Sequence, residues 1–327
     1  MIIRSLRKNS STTKGNSYQM NNKKIIITGI NGFIGRNFLH VILEKSPDAQ
    51  IYGIYRALRT VEHFIPVECD LSDREKVKCV LSEIRPDYIF HFAGTAYTND
   101  WDILFSSNVR TTLNLLESVK ELEFNPRIVI IGSAAEYGIA QKMPVNEMTI
   151  PNPASPYGAS MCCRTNVALV FRNMGFDIII GRVFNTTGAD VTERTPVGSF
   201  ARQIAQIEKG INEPVIYAGN LEPVRDFIDI SDVAEAFYAL AMKSEKGGIY
   251  NICSGAGHSI ADILDIYVKL IPHHKITILK DKSLLRKNDI PSMYGDYTKI
   301  KEETGWEPSV PLNESLKSTL NFFRNRK

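Results

Sequence analysis

An α/β architecture with a doubly wound parallel sheet follows from three features of this chain. An apolar, β-branched run from Lys23 to Thr28 passes directly into glycines at 29, 32 and 35 and then into an amphipathic stretch, Phe33 to Leu43. Further strand-like runs recur at Gln50 to Tyr55, Tyr88 to Phe92, Arg127 to Ile131, Asp177 to Val183 and Gly248 to Cys253, separated by helical stretches. Alternation of this kind implies parallel strands with helices on both faces. With 327 residues, 43% of them hydrophobic, the chain is long enough to bury a full core and a smaller second lobe.

The first strand, turn and helix carry a ligand expectation. Gly29 suits the sharp turn, Gly32 lets the main chain approach a pyrophosphate, and Gly35 lets the helix pack on the strand, so that free N–H groups at the helix start face phosphates. Gly29, Asn31, Gly32, Phe33, Ile34 and Gly35 are therefore candidate dinucleotide contacts, the alternative being a glycine-rich turn with no ligand. The second strand ends Ile54-Tyr55-Arg56, without the acid that would hold the ribose hydroxyls of NAD. Arg56, helped by Arg59, suits a 2′-phosphate instead, which favours NADP(H) over NAD(H); the alternative is a solvated surface Arg. The expected division is a disordered leader (1–22), a dinucleotide-binding Rossmann domain (23–185, completed by roughly 226–253), and an interleaved α/β substrate lobe (186–225 and 254–327). The lobes interleave because Gly248 to Cys253 returns to the sheet.

Charge and composition limit the partners. The net charge is +3, but the first 24 residues hold Arg4, Arg7, Lys8, Lys14, Lys23 and Lys24 and no acid, so the remainder carries −3. A body that is not basic argues against nucleic acid. No apolar run reaches the length of a membrane span, and the leader lacks the apolar core of a secretory signal, reading as a disordered extension more than a transit peptide. The five cysteines, at 69, 79, 162, 163 and 253, have neither metal nor redox spacing, which points to reduced thiols, a cytoplasmic location and no metal. Cys162 and Cys163 read as small buried hydrophobes.

Several separate strings then agree. Thr28 to Gly35, Asp70-Leu71, His91-Phe92-Ala93-Gly94, Asn108, Tyr157 after Ser155-Pro156, and Arg182-Val183-Phe184-Asn185 together resemble the extended short-chain dehydrogenase/reductase superfamily over nearly all of Lys23 to Arg324. Within it the likeness is to GDP-4-dehydro-6-deoxy-D-mannose reductase and GDP-mannose 4,6-dehydratase. It is carried by Ser199 to Ile204, Gly219 to Phe227, Tyr250 to Gly255 and Arg286 to Pro291. The resemblance implies a catalytic Tyr157, adenine contacts at Asp70 and Leu71, a cofactor lining at Ala93 and Gly94, and support of a water path by Asn108. It also implies a nucleoside diphosphate sugar, a GDP-sugar above others, held by Asn185, Arg202, Asn220, Arg225 and Arg286. Arg offers planar, permanently charged donors for such a diphosphate. A homodimer through helices Asp102 to Glu121 and Tyr157 to Met174 is implied as well.

The departures are as informative as the matches. Tyr157 and Met161 mark the nicotinamide end of the cofactor site, but the family places a Lys where Met161 stands, to hold the ribose and favour tyrosinate. Met161 does neither. An isolated Tyr titrates near about 10, so Tyr157 is protonated at neutral pH and fit to donate a proton, while the tyrosinate left behind loses up to about a thousandfold in rate. Arg164, two helical turns past Tyr157, can return a charge to that face, although a surface or dimer-face position is the commoner fate of such a residue. The hydroxyl expected beside the Tyr falls on Ser133 or on Ala134, according to which end of Gly132 to Gly138 is aligned. Glu136 is a candidate base, equally at home in a dehydratase, a reductase or an ordinary turn. Reduction of a 4-keto sugar, dehydration or epimerisation, and a catalytically weak binding role all stay open at this point.

Overall fold

The structure, a computed structural model, describes residues 19–57, 63–245, 247–272, 275–285 and 289–326. Seven strands form the main sheet: β1 (Lys24–Thr28), β2 (Gln50–Tyr55), β3 (Ile65–Glu68), β4 (Tyr88–His91), β5 (Arg127–Ser133), β6 (Ile178–Val183) and β7 (Gly248–Ile252). Their order is β7-β6-β5-β4-β1-β2-β3, and every neighbouring pair is parallel. The chain starts at the centre, runs outward to β3, then returns to β4 and builds the other half. Such a reversal leaves a crevice at the carboxyl ends of β1 and β4, the usual ligand position in a sheet of this kind.

Unbroken apolar strands are what two covered faces require. In β1, Ile25 and Ile27 enter one core while Ile26 enters the other, and Phe90 against Ile89, Val129 against Ile128, and Ile179 against Ile178 repeat the split. Helices Phe33–Lys45 and Ile230–Lys243 cover the first face. Arg74–Ile84, Thr111–Glu121 and Pro156–Asn173 cover the second. Each fully buried Ile side chain stabilises by about 1.5–3 kcal/mol relative to exposure.

β3 has no counterpart in the sequence expectation, because it is a short edge strand with Pro66 inside it and no buried residue, so no alternation marks it. β5 runs two residues past the expected Ile131, which makes Ser133 its last residue. The helix expected from Asp102 begins at Trp101 and contains a π-helical stretch, Phe105–Arg110.

The second lobe has a four-stranded sheet of Asn185–Thr187, Val224–Asp229, Gly257–Ser259 and Ser292–Met293, and a pair, Val215–Ala218 with Thr277–Lys280. Helices Pro196–Glu208, Ile260–Lys269 and Leu312–Asn325 share a separate core that includes Phe200, Ile204, Ile263 and Leu316. The expected leader boundary at residue 22 lies too late. Met20 is fully buried, its N–H donates to Ser46 Oγ at 2.9 Å, and that hydroxyl meets Tyr238 Oη at 2.9 Å. An unbranched side chain flanked by polar residues gave no periodic signal. Among the described residues no helix is long and apolar enough to cross a membrane.

Candidate active site

The glycine turn at the end of β1 is shaped by a close approach. Gly29 has a φ of 69°, and a Cβ there would stand 2.7 Å from the Ala93 nitrogen, so the turn rests directly on the chain leaving β4. Gly32 is the N-cap of Phe33–Lys45 and makes no side-chain cap bond, which leaves the first N–H groups of that helix available to an anion. This turn fits a dinucleotide diphosphate. Asn31 donates to the Ala57 carbonyl at 3.2 Å and so ties the turn to the residue beside exposed Arg56. Asp70 accepts from the Ser72 N–H and hydroxyl at 2.9 Å, and these bonds, aided by the charge of Arg56, hold its carboxyl below the usual range. Leu71 is buried, and its carbonyl accepts from Asn114 at 3.0 Å. Arg59 lies outside the described residues.

Tyr157 opens the helix Pro156–Asn173, whose N-cap Ser155 accepts from Gly158 N–H at 3.1 Å and whose first residue is Pro156. A Cβ on Gly158 would meet the Ala135 carbonyl at 2.4 Å, so only glycine lets the helix press on the turn that follows β5. That contact sets the turn carrying Ser133 against the helix of Tyr157, where the Ser133 hydroxyl favours the ionised phenol. The hydroxyl left open between two alignments is thus that of Ser133, while Ala134 is buried beside Tyr137 and Phe184. Burial pushes the Tyr157 phenol above its ordinary value, against the pull of the Ser133 hydroxyl and the Arg164 charge. The phenol is neutral at pH 7.

Met161 is buried one turn further on. Arg164 is buried too, 1% exposed, and not at the surface or a subunit face as expected. Its Nη1 donates to the Ala93 carbonyl at 3.0 Å and its Nη2 to the His91 carbonyl at 2.8 Å. Those acceptors belong to the chain leaving β4, far away in sequence, so nothing local signals them. Asn108, in the π-helical stretch, clamps the Thr95 N–H (2.8 Å) and carbonyl (3.0 Å) and donates to Ser160 Oγ at 2.9 Å. Ser160 in turn donates to the Tyr157 carbonyl at 2.8 Å. The His91 ring lies between the hydroxyls of Thr28 (2.8 Å) and Thr112 (3.0 Å), and burial, with Arg164 nearby, keeps it neutral. Ala93 and exposed Gly94 follow β4 at the crevice.

Glu136, a candidate base in the sequence, is spoken for. Its Oε1 accepts from the Ser133 N–H at 2.8 Å and its Oε2 from Arg182 Nε at 2.9 Å. It is 0% exposed, and burial pushes its carboxyl up while Arg182 pulls it back. Arg182 also lies 4.6 Å over the Tyr137 ring, and Tyr137 Oη donates to Asn251 at 2.6 Å. Both carboxylate oxygens of this candidate base are thus engaged by other groups.

In the second lobe the strands Asn185–Thr187 and Val224–Asp229 pair, which sets Asn185 opposite Phe227 and close to Arg225 in the same sheet. Asn185 donates to the Asp226 carbonyl at 2.9 Å. Half-buried Arg225 pairs with Asp289 at 2.9 Å. Arg202 is engaged on its own helix side by Glu193 (3.1 Å) and Gln206 (3.1 Å), and Asn220 accepts from the Glu222 N–H at 3.2 Å. Arg286 lies outside the described residues. Sequence reasoning missed Asp226 and Asn251. Buried Asp226 accepts from Ser254, Gly255 and Gly295 N–H groups, and Asn251 Nδ2 reaches the carbonyls of Val145 and Asp296. Both stand inside strings noted for other residues. Arg194, 5.7 Å over the Tyr97 ring, was missed as well.

The five cysteines are free thiols, with Cys162 and Cys163 half-buried and not fully buried as expected. Among the described residues no His, Cys, Asp and Glu cluster could hold a metal. The buried pair yields a stability prediction. Arg182→Met strands a buried carboxylate and should cost about 3–5 kcal/mol, whereas Glu136→Gln combined with Arg182→Met should recover part of that loss. Urea midpoints of the single and double variants check this, and an unchanged midpoint in Arg182→Met would refute it.

Comparison with known proteins gives this arrangement its setting. The family model described as GDP-mannose 4,6 dehydratase matches residues 26–319. The GDP-6-deoxy-D-mannose reductase of Pseudomonas aeruginosa is 27% identical over 313 residues, covering 93% of this chain and 98% of that protein. The GDP-6-deoxy-D-talose 4-dehydrogenase of Aggregatibacter actinomycetemcomitans is 29% identical over 285 residues, covering 86% and 91%. Among solved structures, RMD from Pseudomonas aeruginosa complexed with NADPH superposes with a TM-score of 0.81 at 25% identity, covering 94% of this chain and 99% of that one. The Thermus thermophilus UDP-glucose 4-epimerase complexed with NAD gives 0.80 at 26%, covering 92% and 99%. With its glycine turn, its Tyr157 helix and a match along most of its length, the chain belongs to the GDP-mannose 4,6 dehydratase family, within the nucleotide-sugar reductases and epimerases.

Proposed function

We propose that this protein is an NADPH-dependent reductase of a GDP-linked 4-keto-6-deoxy sugar. The observation that carries the reading is the engagement of both Glu136 oxygens, by the Ser133 N–H and by Arg182, beside a Tyr157 phenol that is neutral at pH 7. A protonated phenol is the form that reduction consumes. Epimerisation begins with an oxidation, which needs tyrosinate at the start, and dehydration needs a free base. The similarity to the Pseudomonas reductase and to an NADPH-bound structure supports the same choice.

In this reading the bound dinucleotide supplies hydride to carbon 4 of the sugar. Tyr157 gives its proton to the carbonyl oxygen, and Ser133 holds the phenol in line for that transfer. Asn108, through Thr95 and Ser160, fixes the loop after β4 against the Tyr157 helix. Arg56 receives the 2′-phosphate, and the first turn of Phe33–Lys45 receives the diphosphate. Asn185, Arg225 and Arg202 hold the sugar nucleotide's diphosphate, the two Arg side chains turning to it from the carboxylates of Asp289 and Glu193 that engage them here. The helices Trp101–Leu104 and Pro156–Asn173 expose Trp101, Ile103 and Val170, and these apolar residues suit a two-fold dimer.

Tyr157→Phe should lower single-turnover reduction of GDP-4-dehydro-6-deoxy-D-mannose by about 10²–10⁴-fold. The parent's reduction rate should hold through neutral pH and fall only as pH rises through the raised phenol value, with oxidation of the product rising over the same range. Full activity in the Phe variant would sink the reading. Arg56→Ala should weaken NADPH by about ten- to a hundredfold and leave NADH nearly unchanged, since a charge-assisted phosphate bond is worth roughly 1.5–3 kcal/mol. Calorimetry showing NADH preferred by the parent would overturn that assignment. Sedimentation should find a dimer, with Val170→Glu shifting it toward monomer; a monomeric parent contradicts the interface.

A further inference from the structure

We propose that Arg164 is a positioning residue for Tyr157, supplying from beneath the loop after β4 the positive charge that position 161 lacks. This rests on the reductase reading of the same site and adds to it a residue that works through the phenol.

Arg164 is 1% exposed, and its guanidinium is met by the carbonyls of His91 and Ala93. Nε is buried with no hydrogen-bond partner, and among the described residues no carboxylate lies in ion-pair contact with this side chain. Burial pulls the guanidinium down to about 10, which still leaves it charged at neutral pH. An ion taken out of water without a counter-ion costs several kcal/mol. Tyr157 lies seven residues before Arg164, two turns back on the same face of the helix Pro156–Asn173, and it and Glu136 favour the charge, Glu136 being already matched by Arg182. What the buried cation lacks is an anion, and an anion is what Tyr157 becomes when it gives up its proton.

The geometry also says what Arg164 does not do. Its two terminal nitrogens are used by main-chain carbonyls, and a Cβ on Gly94 would come within 3.2 Å of Nη1, so the guanidinium lies under the loop and not in the crevice. It contributes charge without touching a ribose. The two tasks that the family resemblance assigns to one Lys are therefore separated here, with Met161 buried on the helix. The other titratable groups near the phenol are Tyr97 on the loop after β4 and Glu136 on the turn after β5, both of which raise it, and His91 on β4 is neutral.

Ionisation of Tyr157 tests this without any turnover. The full chain with bound NADP⁺ is titrated by ultraviolet difference spectroscopy, and the same trace from the matching Tyr157→Phe protein is subtracted. In Arg164→Gln the phenol should ionise at higher pH than in the parent, and single-turnover reduction should fall by about tenfold or more. Adding Met161→Lys to Arg164→Gln should return the ionisation toward that of the parent. Arg164→Lys keeps the space filled but cannot hold both carbonyls, so it should move the ionisation by a smaller step in the same direction, and it covers the case of a Gln variant that does not fold. A phenol that ionises at the parent's pH in every folded Arg164 variant overturns the proposal, even if stability drops. A parent that does not reduce the keto sugar refutes the reductase reading instead, and the titration still decides the role of Arg164.

Discussion

The dry ion pair between Glu136 and Arg182 is the interaction on which the candidate site depends. One carboxylate accepts from the end of β5 through the Ser133 N–H and from β6 through Arg182, and the Thr165 hydroxyl of the Tyr157 helix favours its charged form. Three elements that approach the crevice from different directions are thereby held to one point. The desolvation cost of such a pair is large, and it is offset only because each oxygen has a donor and Arg182 also lies on the Tyr137 ring. With the turn so fixed, Gly158 can sit on Ala135, and the Ser133 hydroxyl meets Tyr157.

Legibility in the sequence followed the range of the interactions. Strands buried on both faces, such as β1 and β6, announce themselves as apolar runs, and the spaced glycines mark the first turn because backbone geometry is written locally. Edge strand β3 does not, since an exposed strand with a proline has no hydrophobic pattern to read. Tyr157, Ser133 and Asn108 were found through strings of neighbours. The burial of Arg164 was not, because the carbonyls that receive it come from a strand some seventy residues earlier. The pairing of Glu136 with Arg182 is hidden for the same reason, the two residues lying on different elements.

The site is also notable for how it keeps charge away from the phenol's neighbours. His91 stays neutral between two hydroxyls, Glu136 is matched, and Asp226 in the second lobe is surrounded by N–H donors. In a low-dielectric setting each unmatched charge would act strongly on Tyr157. Arg164 has no such counter-ion, and its charge favours ionisation of the phenol while that of Glu136 opposes it. The unbranched side chain of Met161 suits a helix face from which a charge has been withdrawn.

The late arrival of β7 has a consequence for how the polypeptide is made. The chain leaves the main sheet after β6, builds Pro196–Glu208 and the strands around it, and only then supplies Gly248–Ile252 to pair with β6. During synthesis β6, buried on both faces in the finished molecule, therefore presents an open and apolar edge while much of the second lobe is still on the ribosome. Pairing across that separation is slow in comparison with local helix formation. A nascent chain in this state is a natural client for chaperones, and a gene fragment ending before residue 248 would encode a sticky intermediate and not a separable nucleotide-binding module.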